Sequence, residues 1–248
     1  MGDTRQRSGR PWWVPVLGFL GIFGAFVWIA RVPSEADSAP VGAPSLPRTL
    51  PEAGLVRRPA DGGANRIILL LHGSGSSPEN FLSVAEEIAG HGFVAIAVRG
   101  PRELGPARYT WSSAEETHAL LGRTLELAYA ELGIPPQRPL LIGYSLGATQ
   151  AVRLLATHPE TYASAFAIAP GPIGDEPLGA TTAARPLAIL VGDEDAASGR
   201  AVDGIERAWT AAHEPIWIDR HPGGHGPPDD MRKRFDSALT WMQVKASS

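Results

Sequence analysis

The sequence predicts an α/β fold in which a mostly parallel central sheet carries helices on both faces. Short apolar runs alternate with helical patterns beyond residue 60, and the first run, Ile67–Leu71, is continuously apolar, as in strands buried on both faces. Residues 12–30 contain no charged side chain, so we also predict an N-terminal transmembrane helix before this domain. The 248-residue chain has a net charge of −4 and no cysteine. We therefore expect no nucleic-acid partner, and disulfides and cysteine nucleophiles are excluded.

The N-terminal apolar segment is long enough to cross a bilayer. At about 1.5 Å per residue it would span about 28 Å, close to the roughly 30 Å of the hydrocarbon core. Three arginines precede it and few bases follow, so we expect a membrane anchor with the remaining chain on the extracytoplasmic side. A cleaved signal peptide is the alternative, although its apolar region is usually shorter. The predicted divisions are a cytoplasmic N-terminus (1–11), a transmembrane signal anchor (12–30), a Pro- and Ala-rich linker (31–58) and a folded domain (59–248).

Strands and helices alternate along the predicted domain. The strand at Ile67–Leu71 precedes a helix with Ser77 as N-cap and Pro78 in its first turn. After a strand at 93–98 and an irregular stretch, Ser113 and Glu116 have the spacing of a capping box. The connection between 168 and 186 is too short for a large lid domain. The remaining predicted elements are a strand at 139–142, a helix at 146–158, strands at 164–168 and 186–191, a helix at 201–212, a strand at 215–218 and a helix at 229–242.

Ser145 lies between Gly143 and Gly147, where an apolar strand meets a helix. This pattern predicts a nucleophile elbow, a sharp turn that exposes the serine hydroxyl. The alternative is an N-cap serine that opens the helix. Because the chain contains 28 glycines, the motif is weak evidence without partners elsewhere in the sequence.

A nucleophilic serine needs a base to take its proton and a third group to orient that base. Asp193 and Asp195 follow one of the last two predicted strands, and His221 and His225 follow the other. Since the carboxyl ends of parallel strands meet at one edge of a sheet, both pairs are expected on the side that holds Ser145. The residue pattern leaves open which aspartate and which histidine act.

A glycine-rich turn, His72–Gly75, follows the first predicted strand. It can direct a backbone N–H at developing negative charge, and the N–H of Leu146 would be the second donor of an oxyanion hole. Trp111 either walls a substrate pocket or fills the core. We expect no metal site, because His221 and His225 lie in a loop and lack a helical ligand frame.

Together these segments resemble the phospholipase/carboxylesterase group of α/β-hydrolases, which includes the acyl-protein thioesterases. The resemblance runs from about residue 67 to 242 and rests on LLLHGSGSSPENF, AVRGPRE with YTW, LGIPPQRPLLIGYSLGATQAVRLLATHPE, LVGDED and HPGGHGPP. It implies an α/β-hydrolase fold and no metal or organic cofactor. The implied site comprises Ser145 as nucleophile, His225 as general base, Asp195 as orienting acid, and Ser74 and Leu146 as oxyanion donors.

We therefore expect a membrane-anchored serine hydrolase that cleaves carboxylic esters or thioesters of small molecules or lipids through an acyl-enzyme. Two alternatives stay open: a catalytically silent binding module of the cell envelope, and a serine peptidase on the same fold. The sequence carries no signal for the oligomeric state.

Overall fold

The computed structural model describes residues 48–50, 54–59, 66–174, 178–179, 181 and 183–246. The predicted cytoplasmic N-terminus, the transmembrane helix at 12–30 and most of the linker lie outside the described residues. Within the described part of the chain, no helix is long and apolar enough to cross a membrane.

In the described part of the chain, an eight-stranded sheet forms the centre of the fold, and a two-stranded hairpin lies apart from it. The strands are β1 (Arg48–Leu50), β2 (Gly54–Arg57), β3 (Ile67–Leu71), β4 (Val94–Val98), β5 (Arg102–Gly105), β6 (Arg108–Thr110), β7 (Leu140–Tyr144), β8 (Ser164–Ile168), β9 (Leu187–Gly192) and β10 (Ile216–His221). The order in the large sheet is β1-β2-β4-β3-β7-β8-β9-β10. β2 runs antiparallel to β1 and β4, whereas the pairs from β4 to β10 are parallel. The predicted mostly parallel sheet is therefore confirmed.

Among the residues that the structure describes, five α-helices cover the two faces of this sheet. They are α1 (Leu82–Gly90), α2 (Ala114–Leu132), α3 (Leu146–Thr157), α4 (Ala196–Ala211) and α5 (Met231–Ala246). Buried side chains of α2, α3 and α4 form one apolar cluster with the sheet, and those of α1 and α5 form another on the opposite face. The continuous apolar strands supply both clusters, because alternate residues point to opposite faces.

The helix boundaries follow from their caps. Ser113 accepts a hydrogen bond from the Glu116 N–H at 3.2 Å and opens α2, and Gly133 ends that helix with a φ of 65°. Ser77 makes no side-chain cap, and a 3₁₀ turn precedes α1. α4 begins earlier than predicted because the Asp195 carboxylate accepts from the Ser198 N–H at 3.1 Å.

The structure adds strands where the sequence analysis placed irregular chain. β1 and β2 fall within the predicted linker at 31–58, yet β2 pairs with β4 and buries Val56. The folded part of the chain therefore begins before residue 59. The predicted irregular stretch after β4 contains the hairpin β5–β6. These strands are short, and most of their described side chains are not buried, so they lack the apolar run that marks a central strand.

Candidate active site

The turn between β7 and α3 holds Ser145 in a strained conformation, with φ of 53° and ψ of −120°. Its N–H donates to the Ile168 carbonyl at 2.9 Å, which fixes the turn to β8. A Cβ at Gly143 would lie 2.4 Å from the Gly147 oxygen, and one at Gly147 would lie 2.1 Å from the Leu71 oxygen. Neither position accepts a side chain. Ser145 makes no side-chain cap to α3, which argues against the N-cap alternative.

His225 lies beside this serine. Its Nε2 is 3.0 Å from Ser145 Oγ, and its Nδ1 is 2.6 Å from Asp195 Oδ2. A carboxylate can only accept, so Nδ1–H donates to Asp195 and leaves Nε2 to accept the serine hydroxyl proton. The three side chains follow the carboxyl ends of β7, β9 and β10, so the parallel sheet brings them to one edge.

Asp195 is held as a carboxylate. Its side chain is 8% exposed. Burial on its own would raise the pKa of Asp195, but hydrogen bonds from Ser198 and His225 outweigh burial and leave this pKa below its ordinary value. A charged Asp195 can therefore orient His225 and stabilise a positive imidazolium.

The structure places the competing residues elsewhere. Asp193 is exposed, and its N–H donates to the His221 carbonyl at 2.9 Å. His221 is 2% exposed, and its Nδ1 lies 2.9 Å from the Pro222 carbonyl oxygen. Ser145 is therefore joined to His225, and through it to Asp195, rather than to His221 and Asp193.

The glycine-rich turn after β3 lies against the nucleophile turn. A Cβ added to Gly73 would lie 3.5 Å from the Ser145 Cβ. Ser74 is exposed, its Oγ is 3.0 Å from Thr110 Oγ1, and Gly75 N–H donates to the Tyr109 carbonyl at 2.8 Å. The hairpin β5–β6, which the sequence analysis missed, thus braces the turn that carries the Ser74 N–H.

Trp111 is buried and hydrogen-bonded to the backbone just before this turn. It is 4% exposed, and its Nε1–H donates to the His72 carbonyl at 2.6 Å. This burial favours the core-filling alternative over the predicted substrate-binding role, because a side chain this buried offers little surface to a ligand. Its hydrogen bond fixes the backbone that precedes the candidate oxyanion donors.

His72 is fully buried in a neutral form. Its Nδ1–H donates to the Gly73 carbonyl at 2.8 Å, and its Nε2 accepts from the Gly100 N–H at 3.0 Å. Burial lowers the pKa of His72, against smaller opposing effects of the Gly73 hydrogen bond and the Glu79 charge. This histidine therefore acts as a structural link between the turn and the chain after β4.

We expect His72 to make the domain sensitive to acid. The pKa of His72 is lower in the folded chain than in the unfolded chain. Its contribution to the free energy of unfolding is therefore complete above the unfolded imidazole pKa of about 6.5 and is lost as the pH falls. The free energy of unfolding, measured by denaturant titration between about pH 7.5 and 5.5, should fall more steeply for the parent chain than for His72→Gln. Equal slopes would contradict this assignment.

One group among the described residues has the composition of a metal site. Ligand atoms of Glu87, His91 and Asp236 lie within 4.8 Å of one another. His91 Nε2 lies 3.1 Å from Asp236 Oδ1, and Arg232 Nε lies 3.0 Å from Glu87 Oε1, so nitrogen atoms of this chain already face both carboxylates. None of these residues contacts Ser145, so we assign the group no part in the candidate site.

Comparisons with known proteins agree with this architecture. A carboxylesterase from Bacillus cereus matches with a TM-score of 0.62 and 20% identity, over 75% of this chain and 92% of that one. A carboxylesterase from Mesorhizobium loti has a TM-score of 0.59 and 23% identity, over 75% and 93%. Esterase PE8 has a TM-score of 0.60 and 21% identity, over 77% and 98%. At these identities the likeness establishes the fold. No curated protein matches the sequence.

The sequence profile of the alpha/beta hydrolase family matches residues 68–244. This range contains every described residue of the site from His72 to His225, together with all five helices except the last residues of α5. The α/β-hydrolase fold that the resemblance implied is thereby confirmed, and the chain belongs to the alpha/beta hydrolase family.

Proposed function

We propose that this protein is a membrane-anchored serine hydrolase that cleaves carboxylic esters or thioesters through an acyl-enzyme. One observation carries the proposal: Asp195, His225 and Ser145 form a continuous chain of contacts at 2.6 and 3.0 Å. This is the arrangement in which a carboxylate orients an imidazole that takes a proton from a nucleophile.

In the acylation half of the reaction, His225 Nε2 takes the Ser145 proton while Oγ attacks the substrate carbonyl carbon. The carbonyl π electrons move to oxygen and form a tetrahedral oxyanion. The imidazolium, stabilised by Asp195, then donates its proton to the leaving alcohol or thiol as that bond breaks. In the second half, His225 takes a proton from water, whose oxygen attacks the acyl carbonyl carbon. The bond between the acyl carbon and Ser145 Oγ then breaks, the carboxylic acid leaves, and the imidazolium returns its proton to Oγ.

The proposed donors to the oxyanion are two backbone N–H groups, those of Leu146 and Ser74. Leu146 is the first residue of α3, so its N–H has no acceptor within the helix and lies at the positive end of the helix dipole. Ser74 follows Gly73, which contacts the nucleophile turn. Removal of one such donor typically costs about 2.7–4 kcal/mol of transition-state stabilisation.

The surroundings of Ser145 favour small or extended acyl substrates. The His225 side chain is 49% exposed, and the described residues place no separate domain over it. Similarity to two carboxylesterases and an esterase supports ester hydrolysis as the reaction. A thioester carbonyl would meet the same nucleophile and the same oxyanion donors.

Residues 12–30 supply the proposed membrane anchor and place the hydrolase domain on the extracytoplasmic side. The full chain should sediment with membranes and resist alkaline extraction, whereas a chain that begins at residue 31 should not. Recovery of the full chain in the soluble fraction would contradict the anchor.

Substrate panels test the proposed reaction directly. The detergent-solubilised full chain should hydrolyse chromogenic esters of several acyl lengths, and a stoichiometric amount of a fluorophosphonate should abolish this activity. A silent binding module would hydrolyse no ester and take up no label. A peptidase would cleave matched amide substrates at rates comparable to the esters, which our proposal excludes.

Substitution of the two loop aspartates tests the orienting role. Asp195→Asn should lower kcat by about 10⁴-fold, because an amide cannot hold the imidazole in the required tautomer. Asp193→Asn, two residues away at an exposed position, is the matched control and should keep near-parent kcat. Ester hydrolysis by both variants gives the comparison, and loss of activity only in Asp193→Asn would overturn the assignment.

A further inference from the structure

The loop that carries His225 has little support of its own. It lies between β10 and α5, contains no regular secondary structure, and is exposed at residues 224–226. The general base of the proposed reaction must nevertheless stay within hydrogen-bond reach of Ser145 Oγ, since misplacement by about 1 Å can cost on the order of 100-fold in rate. Something outside the loop must fix its position.

Besides the Asp195–His225 side-chain contact, one backbone attachment joins this loop to the turn between β9 and α4. The Glu194 N–H donates to the Gly223 carbonyl at 2.8 Å. A Cβ at Gly192 would lie 2.2 Å from the Gly224 oxygen and 2.4 Å from that of Gly223. The loop backbone therefore packs directly on the end of β9, but this attachment lies before His225.

The second attachment is made by Tyr144, the residue before the nucleophile. Its Oη–H donates to the His225 carbonyl at 3.0 Å, and the two rings lie 5.4 Å apart between centroids. On its other side the ring meets the oxyanion turn, because a Cβ at Gly73 would lie 3.1 Å from Tyr144 Cδ1. Tyr144 thus contacts the base loop and the oxyanion turn, and it adjoins Ser145 in the chain.

The Tyr144 hydroxyl is suited to act as a permanent donor. Burial raises its pKa above the ordinary value, and the negative charge of Asp195 raises it further. The hydroxyl therefore keeps its proton at neutral pH. A carbonyl acceptor makes this hydrogen bond independent of the protonation state of the imidazole.

We propose that Tyr144 is a positioning residue that holds the His225 backbone in register with Ser145 and the oxyanion turn. This inference rests on the proposed hydrolase function, and it assigns a role to the variable position of the G-x-S-x-G motif. The Tyr144 hydroxyl bonds to the backbone carbonyl of His225 and not to its imidazole. Its effect passes through the position of the imidazole.

Tyr144→Phe tests this role by removing one oxygen atom while leaving the ring in place. We expect kcat for ester hydrolysis to fall about tenfold, in line with the loss of one hydrogen bond to the chain that holds the base, while KM changes less than twofold. The second-order rate of fluorophosphonate labelling should fall in parallel, because it also depends on proton removal from Ser145.

Tyr129→Phe is the matched control. Its hydroxyl also donates to a backbone carbonyl, that of Gln137, at 2.7 Å, but on α2 and outside the site. The positioning role would be overturned if the two variants had equal kcat values and any loss of activity followed the fall in their melting temperatures.

If the parent chain neither hydrolyses esters nor takes up label, the proposed function fails and this inference fails with it. An active parent with an unaffected Tyr144→Phe overturns this inference alone.

Discussion

Ser145→Ala should lower kcat for ester hydrolysis by about 10⁵- to 10⁶-fold, which leaves only the rate supported by substrate binding and the oxyanion donors. The alanine lacks the oxygen that forms the acyl-enzyme. The fold should persist, because the strained turn depends on Gly143 and Gly147 rather than on the serine hydroxyl, which makes no cap to α3. Steady-state hydrolysis of a chromogenic ester measures the effect.

Ser237→Ala is the matched control for this substitution. Its hydroxyl donates to the Lys233 carbonyl within α5 at 3.0 Å, and it makes no contact with the site. This variant should retain parent kcat. Residual activity of Ser145→Ala within tenfold of the parent would mean that another group carries the nucleophilic step.

His225→Gln should cause a loss of similar size, since the serine hydroxyl would have no base to remove its proton. Its effect should not add to that of Ser145→Ala, because the two residues act as one unit. The double variant should therefore be about as active as either single variant. Ester hydrolysis by the three variants forms a double-mutant cycle.

His213→Asn serves as the control for the histidine substitution. His213 has a φ of 58°, a conformation that asparagine tolerates well. This variant should keep parent activity. An additive loss in the double variant, or a His225→Gln enzyme of near-parent kcat, would contradict a shared role for Ser145 and His225.

The central strands could be predicted from the sequence because both of their faces are buried. Ile67–Leu71 and residues 164–168 have the predicted bounds in the structure, and all ten residues are buried. The position of Ser145 between β7 and α3 could also be predicted, because two glycines beside a serine at a strand–helix junction satisfy a specific steric demand. A Cβ added at either glycine would lie within 2.5 Å of a backbone atom, and this close approach is the reason that only glycine fits there.

The choice between neighbouring candidates required the structure. The predicted strand at 215–218 continues to His221, although Asp219 and Arg220 break its apolar pattern. These charges are balanced by ion pairs with Arg234 at 2.6 Å and Asp203 at 3.0 Å. The added length places His221 inside the sheet and His225 in the loop beyond it. Local sequence does not reveal such partners on distant helices.

The hairpin and the tyrosine that hold the site in position could not be predicted from the sequence either. Most side chains of the hairpin β5–β6 are exposed. Its hydrogen bonds to the oxyanion turn are made mainly by backbone atoms. Backbone contacts between distant segments leave no residue pattern. Tyr144 was visible only as a variable position in the motif.

The site of covalent labelling tests the central claim most directly. The full chain is treated with a fluorophosphonate, digested, and analysed by peptide mass spectrometry. The account predicts a single adduct on Ser145, absent in Ser145→Ala and formed far more slowly in His225→Gln. An adduct on another residue, or labelling of Ser145 at the same rate without His225, would contradict it.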